Sequence, residues 1–337
     1  MWLAMEPPAS MTAEAVIDAK VSLLKSVPAL RLDPSEVFLG QFASNGEELG
    51  YLNDATVPRG STCATFASVL LHVDNERWRG VPFLFTAGKG MDERVCEVRV
   101  RYRPTASNAM LGIPESDTNE LVLRIQPDEA IYVRTVAKEP GITAEQARKV
   151  AVMDLSYSAQ FAGAYVGDAY ERMFLNCCRG DQTLFVSSPE LSEAWRIFTP
   201  LLHAIDTARP QPVIHPFGVL PPGFVSWAAK LRVQINPTWN EYVALHPDVI
   251  GAMTRVFHEL DAGGSGALDA EAVTKLASRF YDGRVPTAKK VGQIFHCYDA
   301  DRSGTITLAE LIEGAEKLQE AFGRGHEHHE ASAHVHV

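Results

Sequence analysis

Cys96-Glu97-Val98-Arg99-Val100-Arg101-Tyr102-Arg103 alternates apolar and charged residues without a break. Successive side chains of an extended strand point to opposite faces. Cys96, Val98, Val100 and Tyr102 therefore share one face, and Glu97, Arg99, Arg101 and Arg103 share the other. Outward from this strand, Val69–Val73, Val81–Phe85, Glu120–Ile125 and Ala130–Ala137 are short runs rich in Val, Ile, Leu and aromatics, which also read as strands. Helical patterns flank them at Thr12–Ser26, Asp168–Cys178 and Ser192–Ile205. In the first, Thr12 caps, Ile17, Val21 and Leu24 fall on one face, and Pro28 ends the run. Strands first and helices later, with no regular alternation, specify an α+β fold with a large, mostly antiparallel sheet. The Pro-rich stretch Arg209–Pro222 reads as a linker or wrapped extension.

A chain of 337 residues exceeds the size at which one core stops growing, so more than one domain is expected. A net charge of −11 argues against a nucleic-acid binder, and no run is long and apolar enough for a membrane span. The first residues have neither the basic start nor the apolar stretch of a signal peptide. The five cysteines are scattered without C-x-x-C spacing, which suggests reduced thiols in a cytosol-like compartment.

Beyond Pro237 the pattern becomes helical with Gly-rich loops, and one loop has a definite chemistry. A twelve-residue calcium loop needs oxygens at positions 1, 3, 5, 7 and 9, Gly at 6 and a bidentate Glu at 12. Asp299, Asp301, Ser303, Thr305 (through its carbonyl), Thr307 and Glu310 fill these places, with Gly304 at the turn. Ile306 sits where paired loops bridge through a short strand. The upstream loop, Asp261–Ala272, keeps Asp261, Ser265, Gly266 and Asp269, but Gly263 offers no side-chain oxygen and Ala272 stands where Glu should be. Glu271 is adjacent, yet one residue turns a helical side chain by about 100°. The pair reads as a small all-α unit of two EF-hands, the second binding calcium and the first a structural partner.

On periodicity alone the charged strand face is a solvated sheet face. The alternative is a cationic phosphate surface built with Lys89, Arg94, Arg124 and Gln126, since guanidinium forks suit phosphate oxygens. Further motifs bear on the choice. Ala4-Met5-Glu6-Pro7-Pro8 is followed by Gly50-Tyr51-Leu52-Asn53-Asp54, Pro58-Arg59-Gly60-Ser61-Thr62, Asp74-Asn75-Glu76-Arg77-Trp78 and Gly80-Val81-Pro82-Phe83. Gln126-Pro127-Asp128-Glu129-Ala130, Asp168-Ala169-Tyr170-Glu171-Arg172 and Ala194-Trp195-Arg196-Ile197-Phe198-Thr199-Pro200-Leu201-Leu202 come later. In this order, from Ala4 to about Ala208, the chain closely resembles the C-terminal, substrate-side half of glucose-6-phosphate dehydrogenase.

The resemblance implies a large antiparallel sheet that also forms a homodimer interface. It implies that Lys89, Arg94 and Gln126 contact glucose 6-phosphate. It also implies a second, structural NADP held by Arg99, Arg124, Tyr132, Arg134, Asp154 and Ser156. Thr86 and Val95 stand where some members have basic residues, and Gly218-Val219-Leu220-Pro221-Pro222 replaces the family's Gly-Ser-Arg-Gly-Pro turn. No Gly-rich dinucleotide loop follows a strand, and no histidine occupies the context of the family's general base. No catalytic residue is therefore assigned to this chain, and a nucleotide-binding half is expected from a missing segment or a separate polypeptide.

The expected organisation is a dehydrogenase C-terminal domain at 1–245, an EF-hand pair at 246–322 and a disordered His-rich tail at 323–337. The expected function is the C-terminal half of an NADP-dependent glucose-6-phosphate dehydrogenase that binds calcium, in the cytoplasm or a plastid. The alternative is a non-catalytic, calcium-responsive module for sugar-phosphate binding or dimerisation.

Overall fold

The computed structural model describes residues 2–46, 48–91, 94–110, 118–126, 129–138, 148–161, 165, 167–233, 249–261, 263–280, 291–292, 294–295, 298–317 and 319. The expected His-rich tail and the start of the EF-hand pair at 246–248 lie outside these residues. Two compact units emerge, one of residues 1–89, 164–215 and 223–235, the other of residues 90–163, 216–222 and 236–337. Along the chain come α1 (Ala13–Lys25), β1 (Val37–Ala43), β2 (Phe66–Leu71) and β3 (Phe83–Gly88). Next are β4 (Cys96–Arg101), α2 (Ala106–Met110), β5 (Glu120–Gln126), β6 (Ala130–Lys138), β7 (Arg148–Ser156) and α3 (Tyr157–Gln160). Then follow α4 (Ala169–Arg179), α5 (Ser188–Ala208), β8 (Val213–Pro216) and α6 (Phe224–Lys230). The calcium-loop region holds α7 (Val249–Leu260), β9 (Ala267–Leu268), α8 (Ala270–Phe280) and β10 (Ile306–Thr307). Among the described residues no helix is long and apolar enough to cross a membrane.

The fold is α+β and rich in antiparallel pairing as expected, and among the described residues its larger strands fall into two four-stranded sheets, ordered β3-β2-β1-β8 and β4-β5-β6-β7. In the first unit, Val37, Val69, Leu71 and Val73 form a core with Leu23, Leu24, Ile197 and Leu201 of α1 and α5. Phe38, Phe66, Phe224 and Trp227 form an aromatic cluster, and the Trp227 indole N–H donates to the Pro34 carbonyl at 2.9 Å. Part of the Pro-rich stretch is β8, an edge strand beside β1.

Helix α1 starts as its sequence dictates, with the Thr12 side chain accepting the Ala15 N–H at 3.4 Å. Its buried stripe is rotated from the expected one. Val16, Lys20, Leu23 and Leu24 are buried, whereas Ile17 and Val21 are half-buried. The cause is polar: Lys20 Nζ lies 2.7 Å from Glu190 Oε2, with both side chains under 5% exposed. Lys20 also donates to the Phe185 carbonyl at 3.4 Å. Glu190 belongs to the capping box that Ser187 opens, which starts α5 at Ser188 rather than at Ser192. Arg196 completes the join, its Nη2 donating to the carbonyl of Leu24 in the last turn of α1 at 2.9 Å and to that of Val27 just beyond it at 2.8 Å.

In the second unit β4 pairs β5, β5 pairs β6 and β6 pairs β7, all antiparallel. Register puts Val98 and Val100 beside Leu123 and Leu121, then Ile131 and Val133, then Leu155 and Met153. The opposite face carries Glu97, Arg99 and Arg101, then Arg124, Val122 and Glu120, then Tyr132 and Arg134, then Ser156 and Asp154. The solvated charged face expected from periodicity is not what forms. Its centre is buried (Glu120, Val122, Tyr132, Arg134), while Val98, Val100, Tyr102, Ile131, Met153 and Leu155 of the apolar face are exposed. Opposite charges at close range permit this inversion, with Arg99, Arg101 and Arg134 all bonded to Glu120.

The two calcium loops join as expected, Ile306 pairing with Leu268 across β9 and β10. Met253, Phe257, Leu268, Val273, Leu276, Ile294, Tyr298, Ile306 and Leu311 form a separate core around that bridge.

Removing one member of a buried ion pair strands the other charge, at about 3–5 kcal/mol. Lys20→Met is expected to lower unfolding free energy by about this much in urea titration. The double change Lys20→Met/Glu190→Leu is expected to recover most of the loss, because neither charge is then left alone. Equal stability of Lys20→Met and the parent would contradict the role given to the pair.

Candidate functional site

Each calcium loop is organised around its first aspartate. Asp299 accepts the Ser303 N–H on Oδ1 at 2.9 Å and the Gly304 N–H on Oδ2 at 3.0 Å. Asp261 does the same with Ser265 at 2.7 Å and Gly266 at 2.8 Å. Both loops turn through left-handed backbone at their fourth and sixth positions, Arg302 and Gly304 (φ 58° and 82°) against Gly264 and Gly266 (68° and 77°). The first loop therefore keeps the backbone of a calcium loop.

The ligands divide the two. In the second loop, one carboxylate oxygen from each of Asp299, Asp301 and Glu310 lies within 4.8 Å of the others, a spacing suited to oxygens around one calcium ion. Ser303 Oγ donates to the Thr305 carbonyl at 3.1 Å, so these two oxygens sit together. The Thr307 N–H and hydroxyl both donate to Glu310 Oε2, at 2.9 and 2.7 Å, while the Ala300 N–H reaches Oε1 at 3.1 Å. Hydrogen bonds from Thr307 hold the Glu310 carboxyl below its usual pKa, and those from Ser303 do the same for Asp301. Both carboxylates are thereby kept charged, the form that binds a cation. The six residues expected as ligands fit calcium by donor type and by the clustering of their acids.

In the first loop the twelfth position is Ala272, whose N–H donates to Asp269 Oδ1 at 2.9 Å. Neighbouring Glu271 points outward and pairs with Lys275 at 2.7 Å. The turn of about 100° per residue thus removes Glu271 from the loop. The first loop thus lacks side-chain oxygens at positions 3 and 12, and it joins the second through the Leu268–Ile306 bridge.

The residues expected to meet glucose 6-phosphate are exposed. Lys89 follows β3 in the first unit, its N–H donating to the Thr65 carbonyl at 2.9 Å. Arg94 and Gln126 belong to the second unit, where Gln126 pairs with Cys96, two residues beyond Arg94. These two therefore occupy one end of the β4–β5 pair.

The residues expected at a structural NADP site, Arg99, Arg124, Tyr132, Arg134, Asp154 and Ser156, all fall on the charged face of the second sheet. What the sequence did not disclose is the group at its centre. Glu120 is 1% exposed. Its Oε2 accepts from Arg99 at 3.1 Å and Arg134 at 3.2 Å, and its Oε1 accepts from Arg101 at 3.1 Å. Arg99 Nε also donates to Glu97 Oε1 at 2.5 Å. Burial pushes the Glu120 carboxyl up, but Arg99 and Arg101 outweigh it and hold the group below the usual carboxylate value. Burial likewise opposes the Arg99 charge, and Glu97 and Glu120 reverse the effect and raise its pKa. The result is a charge network sealed into the sheet.

Comparison with known proteins locates both regions. The family described as "Glucose-6-phosphate dehydrogenase, C-terminal domain" matches residues 1–225, and the "EF-hand domain pair" family matches residues 252–316. Glucose-6-phosphate 1-dehydrogenase of Takifugu rubripes is 44% identical over 223 residues, covering 64% of this chain and 41% of that protein. The cytoplasmic isoform of Solanum tuberosum is 41% identical over 211 residues, covering 63% and 39%. A solved glucose-6-phosphate dehydrogenase in complex with its substrate glucose-6-phosphate is 38% identical with a TM-score of 0.63, covering 69% of this chain and 48% of that one. The chain thus spans about two-fifths of the length of the relatives it matches.

Calorimetric titration of the chain is expected to give one calcium ion per chain. Glu310→Gln removes the bidentate carboxylate and is expected to weaken binding by roughly 100-fold or more, because affinity follows ligand charge and number. Two ions per chain, or undiminished affinity in Glu310→Gln, would contradict the assignment.

Proposed function

The chain belongs to the glucose-6-phosphate dehydrogenase C-terminal domain family, and we propose that it supplies the substrate-side half of an NADP-dependent glucose-6-phosphate dehydrogenase that also binds calcium. The observation that carries this reading is the family match across residues 1–225, two-thirds of the chain, which contains every residue expected to touch substrate. The reaction is oxidation of glucose 6-phosphate to 6-phosphogluconolactone at the entry to the pentose phosphate route. NADP accepts the hydride when bound, on a nucleotide-binding half that corresponds to the part of the relatives this chain does not span.

In this reading the chain's own residues bind and orient. Lys89 and Arg94 are exposed cations, suited to a sugar phosphate by charge. Gln126 offers an amide for hydroxyls, and its backbone is held by the β4–β5 register. Proton abstraction belongs to a histidine outside the residues assigned here. Calcium adds a stabilising term, because a ligand bound by the folded loop and not by the unfolded chain shifts folding toward order.

The reading includes a homodimer through the second sheet. What supports it is the exposed apolar face, where Met153 is 61% exposed, Tyr102 52% and Leu155 42%. Contiguous apolar surface of this kind marks an interaction site.

The substrate assignment is tested on the complete enzyme by following NADPH formation from glucose 6-phosphate. Lys89→Ala is expected to raise KM by roughly 10–100-fold, the loss of a hydrogen bond to a charged group. An unchanged KM and kcat in Lys89→Ala would remove that residue from the site, and absence of any glucose 6-phosphate-dependent reduction of NADP would remove the activity.

The dimer is tested separately by light scattering. Met153→Glu, which puts a charge on the exposed face, is expected to convert dimer to monomer, and a persistent dimer would exclude this face.

A further inference from the structure

The charged face of the β4–β7 sheet invites a bound dinucleotide by composition but not by construction. Around its centre stand the carboxylates Glu97, Glu120 and Asp154 and the guanidinium groups of Arg99, Arg101, Arg124 and Arg134, while Lys138 and its register partner Arg148 lie beyond them at the far end of β6 and β7. At that centre, four cations against three anions leave little positive charge for a ligand carrying a pyrophosphate and a 2′-phosphate. Three of those cations already converge on Glu120, and Arg99 bonds Glu97 as well.

Releasing Arg99 and Arg134 to a phosphate strands Glu120 as a buried, partly unpaired carboxylate. Leaving them in place sets the phosphate against Glu120 and Glu97. The centre of the face is also closed, with Val122 at 0%, Tyr132 at 4% and Arg134 at 6% exposure. Two neighbouring segments bring apolar side chains. Val95 precedes β4 with its side chain exposed, and the 216–222 segment, whose Gly218 N–H donates to the Gly90 carbonyl at 2.7 Å, contributes buried Val219 and Leu220.

We infer that the centre of this sheet is neutralised by its own Glu120-centred network in place of a second, structural NADP, so that the domain is stable without the nucleotide. The inference rests on the family reading above, which makes a second NADP an expectation in the first place. Asp154 is exposed at the edge of the face, and a dinucleotide held there would meet it.

The test is thermal unfolding of the chain with and without NADP, on the parent, Asp154→Ala and Arg124→Ala. The expected result is no midpoint shift, or a shift that both variants retain, which places the nucleotide off this face. A ligand at 100 times its Kd raises the midpoint by roughly 5–10 °C in a domain of this size. A saturable rise of that order, lost in Asp154→Ala or Arg124→Ala, would overturn the inference while leaving the dehydrogenase reading intact. Asp154→Ala alters an exposed side chain and keeps the test informative if Arg124→Ala does not fold. Failure of the dehydrogenase reading shows elsewhere, as loss of glucose 6-phosphate turnover in the complete enzyme.

Discussion

A single buried carboxylate organises the second unit of this protein. Glu120, 1% exposed, cannot remain charged in the sheet without partners, and Arg99, Arg101 and Arg134 are the partners it has. Once those side chains turn inward, strand geometry leaves no choice about the rest, because every neighbouring residue points the other way. Val98, Val100, Ile131, Met153 and Leu155 are thereby exposed, and an exposed apolar sheet face calls for a partner. The charge network and the proposed dimer surface are two sides of one constraint.

The first unit solves a related problem on a smaller scale. Lys20 and Glu190 are buried between α1 and α5, and Arg196 binds the carbonyls of Leu24 and Val27 nearby. Charge thus fixes how these helices meet, while Leu23, Leu24, Ile197 and Leu201 supply the apolar contact. Buried ion pairs contribute little net stability, but they penalise any arrangement that separates them. Both units use that penalty.

Much of this was legible in the residues. Thr12 capped its helix, the loop from Asp299 to Glu310 gathered its acids, and Ile306 bridged to Leu268, because local chemistry alone determines those features. Lys89, Arg94 and Gln126 were expected at the substrate only from likeness to a family, since no local spacing in the sequence marks them. Three features escaped. The start of α5 lay at Ser187-Ser188-Pro189-Glu190, a capping box that precedes the apolar period. Strand β8 hid in a Pro-rich run, since an edge strand tolerates Pro and shows little alternation. The third was the orientation of the β4–β7 sheet. Alternation in Cys96–Arg103 separates the two faces but cannot say which is buried. That depends on register across strands, which brings Glu120 opposite Arg101 and Arg134.

The direct measurement is stability against pH for the parent chain and Glu120→Gln. The folded-state pKa of Glu120 lies below its usual 4.5, so its contribution is present above 4.5 and disappears as pH falls through the lower folded value. The two proteins are therefore expected to differ by about 3–5 kcal/mol near neutral pH, with the gap closing as pH drops below 4.5. A gap that is absent at neutral pH, or that stays constant into acid, would contradict a structure built around this carboxylate.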